Sequence, residues 1–223
     1  MRRLADFSAI AFDVDGTLID SNGAHADAWA RALTEHGFPH EPAAIRGLIG
    51  MGSDKLLPRV AGLEVDSPRG QEILARKKEL FDERLPHLRP TRGARALVAF
   101  LRERGRRLVV ATSADDQEME AILAQAGVGD LIPRRTSSDD ADQSKPDPDI
   151  VRAALARVQA EARDAVMIGD TPYDIEAARR AGVDAIALRS GGHWTDADLA
   201  GAIAIFDDPQ DLLTQESPGI DWH

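Results

Sequence analysis

The chain has 223 residues, 27 Lys and Arg against 38 Asp and Glu, and a formal net charge of −11. It has no cysteine, which excludes a disulfide scaffold, a thiolate metal site and a cysteine nucleophile. The acidic balance argues against a nucleic-acid partner or an anionic membrane surface, because like charges repel, and leaves 26 Asp against 12 Glu to be explained.

The start, MRRLADFSAIAFDVDG, has only a short apolar stretch before Asp13 and Asp15. A signal peptide needs a longer apolar run and a small-residue cleavage site, and no window reaches the roughly 18 apolar residues of a membrane helix. The expectation is a soluble, cytoplasmic protein. Residues 8–12 read as a buried strand that ends at Asp13. Residues 20–89 then break the pattern: 24–36, 41–49, 55–60 and 69–85 read as helical, with no convincing strand. They are expected to form an inserted all-helical cap domain, joined to the rest by linkers near 19–22 and 86–92. Further strands are expected at 107–111, 165–168, 184–188 and 202–205, with helices at 93–104, 115–126, 147–158 and 172–182. Gly105, Gly127 and Gly182 stand just past three of these helices, where a left-handed cap is expected. Continuous apolar strands alternating with helices predict an α/β fold, a doubly wound parallel sheet covered on both faces. The core is read as residues 1–19 and 90–223.

Four places at the carboxyl ends of these strands carry polar groups, and ligands bind along that edge in open α/β sheets. The first is Asp13-Val14-Asp15-Gly16-Thr17. Alternation would turn its two carboxylates apart, so the turn that Gly16 allows must bring them to one site. A calcium loop is excluded by spacing, because Thr17, Leu18 and Ala24 stand where it needs an oxygen ligand, glycine and glutamate. The second is Thr112, followed by Ser113; alone, such a threonine is more often a helix cap. The third is Lys145, which lies outside the cap segment that holds Lys55, Lys77 and Lys78, the other three of the four lysines; arginines number 23. A compact ammonium kept among so many arginines is a point charge, not a planar fork. The fourth is Gly169-Asp170-Thr171-Pro172-Tyr173-Asp174, with Asp170 at the strand end and Asp174 in the helix that Pro172 begins. Clustered carboxylates without His or Cys suit a hard cation, best Mg²⁺.

These four elements, in this order, resemble the motifs of the haloacid dehalogenase superfamily over nearly the whole chain. The resemblance implies a Rossmann-like core, an active site under the cap and phosphoryl transfer. It implies Asp13 as the nucleophile that becomes an aspartyl-phosphate and Asp15 as general acid and base. Thr112 and Lys145 would stabilise the phosphoryl group. Mg²⁺ would be held by Asp13, the Asp15 backbone carbonyl and Asp170, with Asp174 in support. Asp15 separates phosphatases and phosphomutases from the dehalogenases and phosphonatases, which lack an acid there. The stretch Met51–Lys55 is similar to the phosphonatase cap segment with its Schiff-base lysine, but Asp15 argues against that branch. His25 resembles a histidine of β-phosphoglucomutases, yet the arginine those enzymes place after the cap glycine is here Ser53. Asp115 and Asp116 stand where relatives carry Lys or Asn.

The expectation is therefore a Mg²⁺-dependent phosphatase acting on a small phosphorylated metabolite, similar to phosphoglycolate phosphatases. A β-phosphoglucomutase-like mutase is the alternative, and a non-catalytic phosphate-binding relative is a third. Thr112, Ser113, His25 and Lys55 are the expected substrate contacts, Lys77 and Lys78 are read first as solvated surface lysines with reach into the site from the last cap helix as the alternative, and Trp194 is read as surface packing. Monomer and dimer are both open. Residues 20–89 hold 10 basic and 11 acidic residues, so the charge is expected to belong to the core.

Overall fold

The structure, a computed structural model, describes residues 2–216. Strands β1 (Ala9–Phe12), β2 (Arg107–Ala111), β3 (Arg134–Thr136), β4 (Ala165–Gly169), β5 (Asp184–Leu188) and β6 (Ala204–Phe206) form one sheet of order β3-β2-β1-β4-β5-β6. Every pairing is parallel, with Phe12 opposite both Val110 and Ile168. The carboxyl ends of β1, β2 and β4 therefore lie side by side on one edge. This is the doubly wound arrangement in which the central crevice takes ligands.

Between β1 and β2 the chain forms α1 (Asn22–Glu35), α2 (Pro42–Arg46), α3 (Ser53–Ala61), α4 (Pro68–Asp82) and α5 (Ala94–Glu103). α6 (Asp116–Gln125) follows β2, α7 (Asp149–Val158) follows β3, α8 (Pro172–Ala181) follows β4 and α9 (Pro209–Glu216) follows β6.

The strand period of two sorts the core. Ile10, Phe12, Leu108, Val110, Val166 and Ile168 enter one buried cluster, shared with Leu97 and Leu101 of α5 and Leu212 of α9. Ala9, Ala11, Ala111, Ala165 and Met167 enter the other, with Ile150 and Ala154 of α7 and Ala177 and Ala178 of α8. Small side chains on that face let α7 and α8 pack close to the strands they touch. Each fully buried Leu, Ile, Val or Phe contributes roughly 1.5–3 kcal/mol relative to exposure, so the two clusters anchor the sheet edge rigidly beneath the site.

Within the segment between β1 and α5, α1 packs against α2 and α4. The chain leaves and re-enters the sheet region along two adjacent stretches. The Asp20 amide donates to the Arg89 carbonyl (2.9 Å), the Thr91 amide to the Leu18 carbonyl (3.1 Å), and Ile19 bridges Pro90 in antiparallel fashion. Among the described residues no strand lies between β1 and β2, and no helix is long and apolar enough to cross a membrane.

The helices fall within a few residues of their expected bounds, and Gly105, Gly127 and Gly182 all take positive φ. Three elements differ. β3 was not expected, because Arg134-Arg135-Thr136 has no apolar residue and forms an edge strand held by β2 alone. The last strand starts at Ala204 and not at 202. α9 was not expected at all, although its Leu212 and Leu213 are buried.

Candidate active site

Asp13 follows β1 directly, and its amide donates to the Ile168 carbonyl (2.9 Å), which locks it against β4. The Lys145 ammonium, on the loop before α7, has no solvent exposure and lies 2.6 Å from Asp13 Oδ1 and 2.8 Å from Asp174 Oδ1. Burial disfavours that ammonium, but the two carboxylates outweigh it and hold the lysine above its ordinary value. The compact lysine read from the sequence thus sits fully buried between two acids, as a point charge to both.

Asp13, Asp170 and Asp174 can each present an oxygen within 4.8 Å of the other two, and all three are buried. Asp170 accepts from Asn22 Nδ2 (2.8 Å) and Thr17 Oγ1 (3.3 Å). Asp174 is oriented by a capping box: Oδ2 accepts from the Thr171 amide (3.0 Å) and hydroxyl (2.7 Å). Burial and then the Asp174 charge push Asp13 up to about 7, against the pull of Lys145. Burial and the charges of Asp13 and Asp174 push Asp170 well above the usual range. Three carboxylates share one ammonium here, a net of −2 when all are ionised. That charge and an all-oxygen donor set suit a hard divalent cation, so these residues fit a metal ion.

Asp15 faces the other way. Gly16 takes φ +73° and turns the chain. The Asp15 carboxylate then accepts from the Ser21 hydroxyl and lies 2.9 Å from His25 Nε2. Burial raises Asp15, but His25, Ser21 and Lys77 outweigh it and lower it to about 2. His25 stacks on Phe81 of α4, ring centroids 3.8 Å apart at 9°. Asp13 and Asp15 nevertheless line one cavity with Thr112, Ser113, His25 and the loop 49–53. Its volume is about 50 Å³, space for about four water-sized spheres. The Ser113 hydroxyl is buried beside it with no hydrogen-bond partner in the protein.

Lys55 is not among the residues that line this cavity, because its ammonium is paired with Asp147 on the loop before α7. Lys77 follows the alternative reading, a lysine that reaches into the site, and corrects the solvated one. It is buried, lines the cavity, and bonds both oxygens of Glu118 on α6 (2.9 and 3.2 Å). A signal existed: Ile73, Lys77, Leu80 and Phe81 are the buried face of α4 and stand at helical spacing. Lys78 remains half-buried at 3.7 Å from Asp82. Asp115 caps α6 by accepting from the Glu118 amide (2.7 Å), which accounts for an acid at that position. Trp194 is half-buried against Tyr173 and His193.

Sequence reading did not single out Ser21, Asn22, Glu118 or Gly191. Gly191 follows β5, and a Cβ there would stand 1.8 Å from Asp170 Oδ2. The helical segment also closes over the edge. Gly52 N donates to Ser144 Oγ (3.1 Å), Arg46 Nη2 to the Gly191 carbonyl (2.8 Å) and the Tyr173 hydroxyl to the Gly47 carbonyl (2.7 Å).

A family model for haloacid dehalogenase-like hydrolases matches residues 7–182. The phosphoglycolate phosphatase of Rhodospirillum rubrum is 34% identical over 209 residues, 90% of this chain and 87% of that protein. A hydrolase from Pseudomonas syringae superposes with a TM-score of 0.87 at 27% identity, covering 93% of this chain and 97% of the other. CbbY from Rhodobacter sphaeroides, solved in complex with phosphate, gives 0.77 at 25% identity, covering 92% and 96%.

Proposed function

The chain belongs to the haloacid dehalogenase-like hydrolases as a phosphoric monoester hydrolase, and on that premise we propose that it hydrolyses a small phosphomonoester through an aspartyl-phosphate on Asp13, with Mg²⁺ as cofactor. The observation that carries this reading is the placement of Asp13. It stands at the carboxyl edge of the central strand, 2.6 Å from a fully buried ammonium and beside two further acids whose oxygens lie within 4.8 Å. Mg²⁺ would be held by the Asp13 and Asp170 carboxylates and the Asp15 carbonyl, with Asp174 in support, and would neutralise charge on the phosphoryl oxygens.

The Asp13 carboxylate attacks phosphorus and the P–O bond to the leaving alcohol breaks. Lys145 keeps Asp13 oriented and offers positive charge to the transferring group, where such preorganised charge acts strongly because both groups are buried. Asp15, held by Ser21 and His25 on the opposite side of the cavity, gives its proton to the leaving oxygen. With a value near 2 it is ionised in the free enzyme; it takes up that proton as the phosphate dianion arrives, since a nearby negative charge raises a carboxylate. It then removes a proton from the water that hydrolyses the aspartyl-phosphate. Splitting one displacement into two lowers each barrier. Thr112 and the unpartnered Ser113 hydroxyl supply donors to the phosphoryl oxygens.

In the same reading residues 20–89 are a cap domain and 1–19 with 90–223 the catalytic core, and the contacts of Arg46, Gly52 and Tyr173 hold the cap shut while water is excluded. The substrate is a soluble metabolite in the cytoplasm. A mutase would need a second phosphate grip, but the position after the cap glycine is Ser53 and Lys77 is already bound by Glu118. The test is hydrolysis of p-nitrophenyl phosphate. It is expected to require Mg²⁺ and to vanish in Asp13→Asn; activity that survives the substitution refutes the mechanism.

A further inference from the structure

Behind the catalytic cavity lies a larger groove of about 650 Å³ between α4 and the loops that follow β2 and β3. The two spaces share Ser53, Lys77, Ser113, Ala114 and Glu118 as lining. The catalytic cavity holds little more than a phosphoryl group, so the rest of a substrate must extend into the groove past Glu118 and Lys77. That groove is acidic. Asp54, Asp115, Asp139 and Asp142 line it together with Glu118, against only Lys77 and Lys78. Both lysines are engaged, Lys77 by two bonds to Glu118 and Lys78 at 3.7 Å from Asp82. The remaining lining mixes hydroxyl and amide groups, from Ser53, Gln71, Ser138 and Ser144, with apolar side chains such as Val65 and Leu74. The buried Ser113 hydroxyl, which lines both spaces, has no partner and points to a ligand atom at the junction.

We propose that the substrate is a phosphomonoester whose leaving group carries hydroxyl or ammonium groups and no second acid, with Glu118 as the residue that rejects an anionic leaving group. The inference rests on the phosphatase reading above and narrows it. A carboxylate entering the groove would meet the Glu118 carboxylate, whose lysine is already bonded to it and whose other basic neighbour, His25 at 4.0 Å, is bonded to Asp15. It would lose hydration without gaining a partner, which is discrimination by repulsion. A hydroxyl or ammonium would find acceptors in the same place.

Three phosphates of matched size separate the possibilities: 2-phosphoglycolate, 2-hydroxyethyl phosphate and O-phosphoethanolamine. Their leaving alcohols are alike in length and carry a negative, a neutral and a positive end. With Mg²⁺ at neutral pH, kcat/KM for the neutral and cationic esters is expected to exceed that for 2-phosphoglycolate by at least about tenfold. In Glu118→Gln the gap is expected to narrow, because the repelling charge is gone and Lys77 is released. 2-Phosphoglycolate turned over as well as or better than the other two overturns the inference in the unmodified enzyme alone, with no reliance on a variant. Should p-nitrophenyl phosphate also resist hydrolysis, the phosphatase reading itself falls. Activity on p-nitrophenyl phosphate with 2-phosphoglycolate preferred removes only the claim about the leaving group.

Discussion

Replacement of Gly191 by alanine tests whether the three buried acids form a metal site. The glycine does not take positive φ, so alanine there suffers no backbone strain. The conflict is spatial: the new Cβ would stand 1.8 Å from Asp170 Oδ2, 2.8 Å from Asp170 Cγ and 2.9 Å from Asn22 Nδ2. Ordinary contact begins near 3.4 Å, so carboxylate and loop must part by about 1.6 Å. The loop cannot easily yield, because Ser190 Oγ donates to the Gly16 carbonyl (2.6 Å) and Arg46 Nη2 to the Gly191 carbonyl (2.8 Å). Asp170 has to move, and its bond to Asn22 goes with it.

Loss of groups that orient a ligand costs about 10–100-fold in metal affinity, and a misplacement of about 1 Å at a reacting centre costs about 100-fold in rate. Magnesium titration of p-nitrophenyl phosphate hydrolysis is therefore expected to show a half-saturating concentration raised about 10–100-fold in Gly191→Ala, with the melting temperature lowered by only a few degrees. Gly105→Ala is the control. That glycine has φ +70° and nothing within 4 Å of a new Cβ, so alanine there is expected to cost about 1 kcal/mol of stability and leave magnesium dependence unchanged. A Gly191→Ala enzyme with unaltered magnesium dependence refutes the assignment of Asp170 to the metal.

Lys145→Ala removes the only ammonium from three buried acids and is expected to lower unfolding free energy by about 3–5 kcal/mol and activity by at least about 1,000-fold, read by urea unfolding and p-nitrophenyl phosphate turnover. Lys145→Arg is expected to be equally inactive, since a planar fork does not replace a fully buried point charge held by two acids. Without metal, Asp13 titrates near 7 against an ordinary 3.8, and Asp170 is shifted the same way. Between those values the folded state holds more protons than the unfolded chain, so stability is expected to fall as pH rises from 4 to 7. Thermal melts of the metal-free protein at pH 5 and 7.5 check this, and added Mg²⁺ is expected to raise the melting temperature more at pH 7.5.

The sheet was legible where strands are buried on both faces, because β1, β2, β4 and β5 are continuous apolar runs. β3 was not, since an edge strand of Arg134-Arg135-Thr136 owes its place to the hydrogen bonds of β2 and leaves no apolar trace. Asp13, Thr112, Asp170 and Asp174 were legible for a topological reason: parallel strands deliver the residues after them to one edge. Lys145 follows the unexpected β3 and was legible only as the one lysine outside residues 20–89. Glu118 was hidden because it sits among the acids of α6, 41 residues from the lysine it meets, and only closure of the helical segment brings them together. Gly191 was hidden because its function is the absence of a side chain beside an acid 21 positions earlier.

The distribution of buried charge explains why the two ends of the site differ. On the leaving-group side Asp15 and Glu118 share Lys77, with the His25 ring near both acids. On the phosphoryl side Asp13 and Asp174 share Lys145, and Asp170 has only the neutral donors Thr17 and Asn22. Asp170, the acid with no cation bonded to it, lies where a divalent cation would sit. Residues 20–89 are nearly neutral and the remainder carries the acidic excess, so the fold offers an approaching phosphate no long-range attraction. Recognition of the phosphoryl end would come from Lys145 and a metal held by the three acids at contact range, while the leaving-group end would select by what its acids refuse.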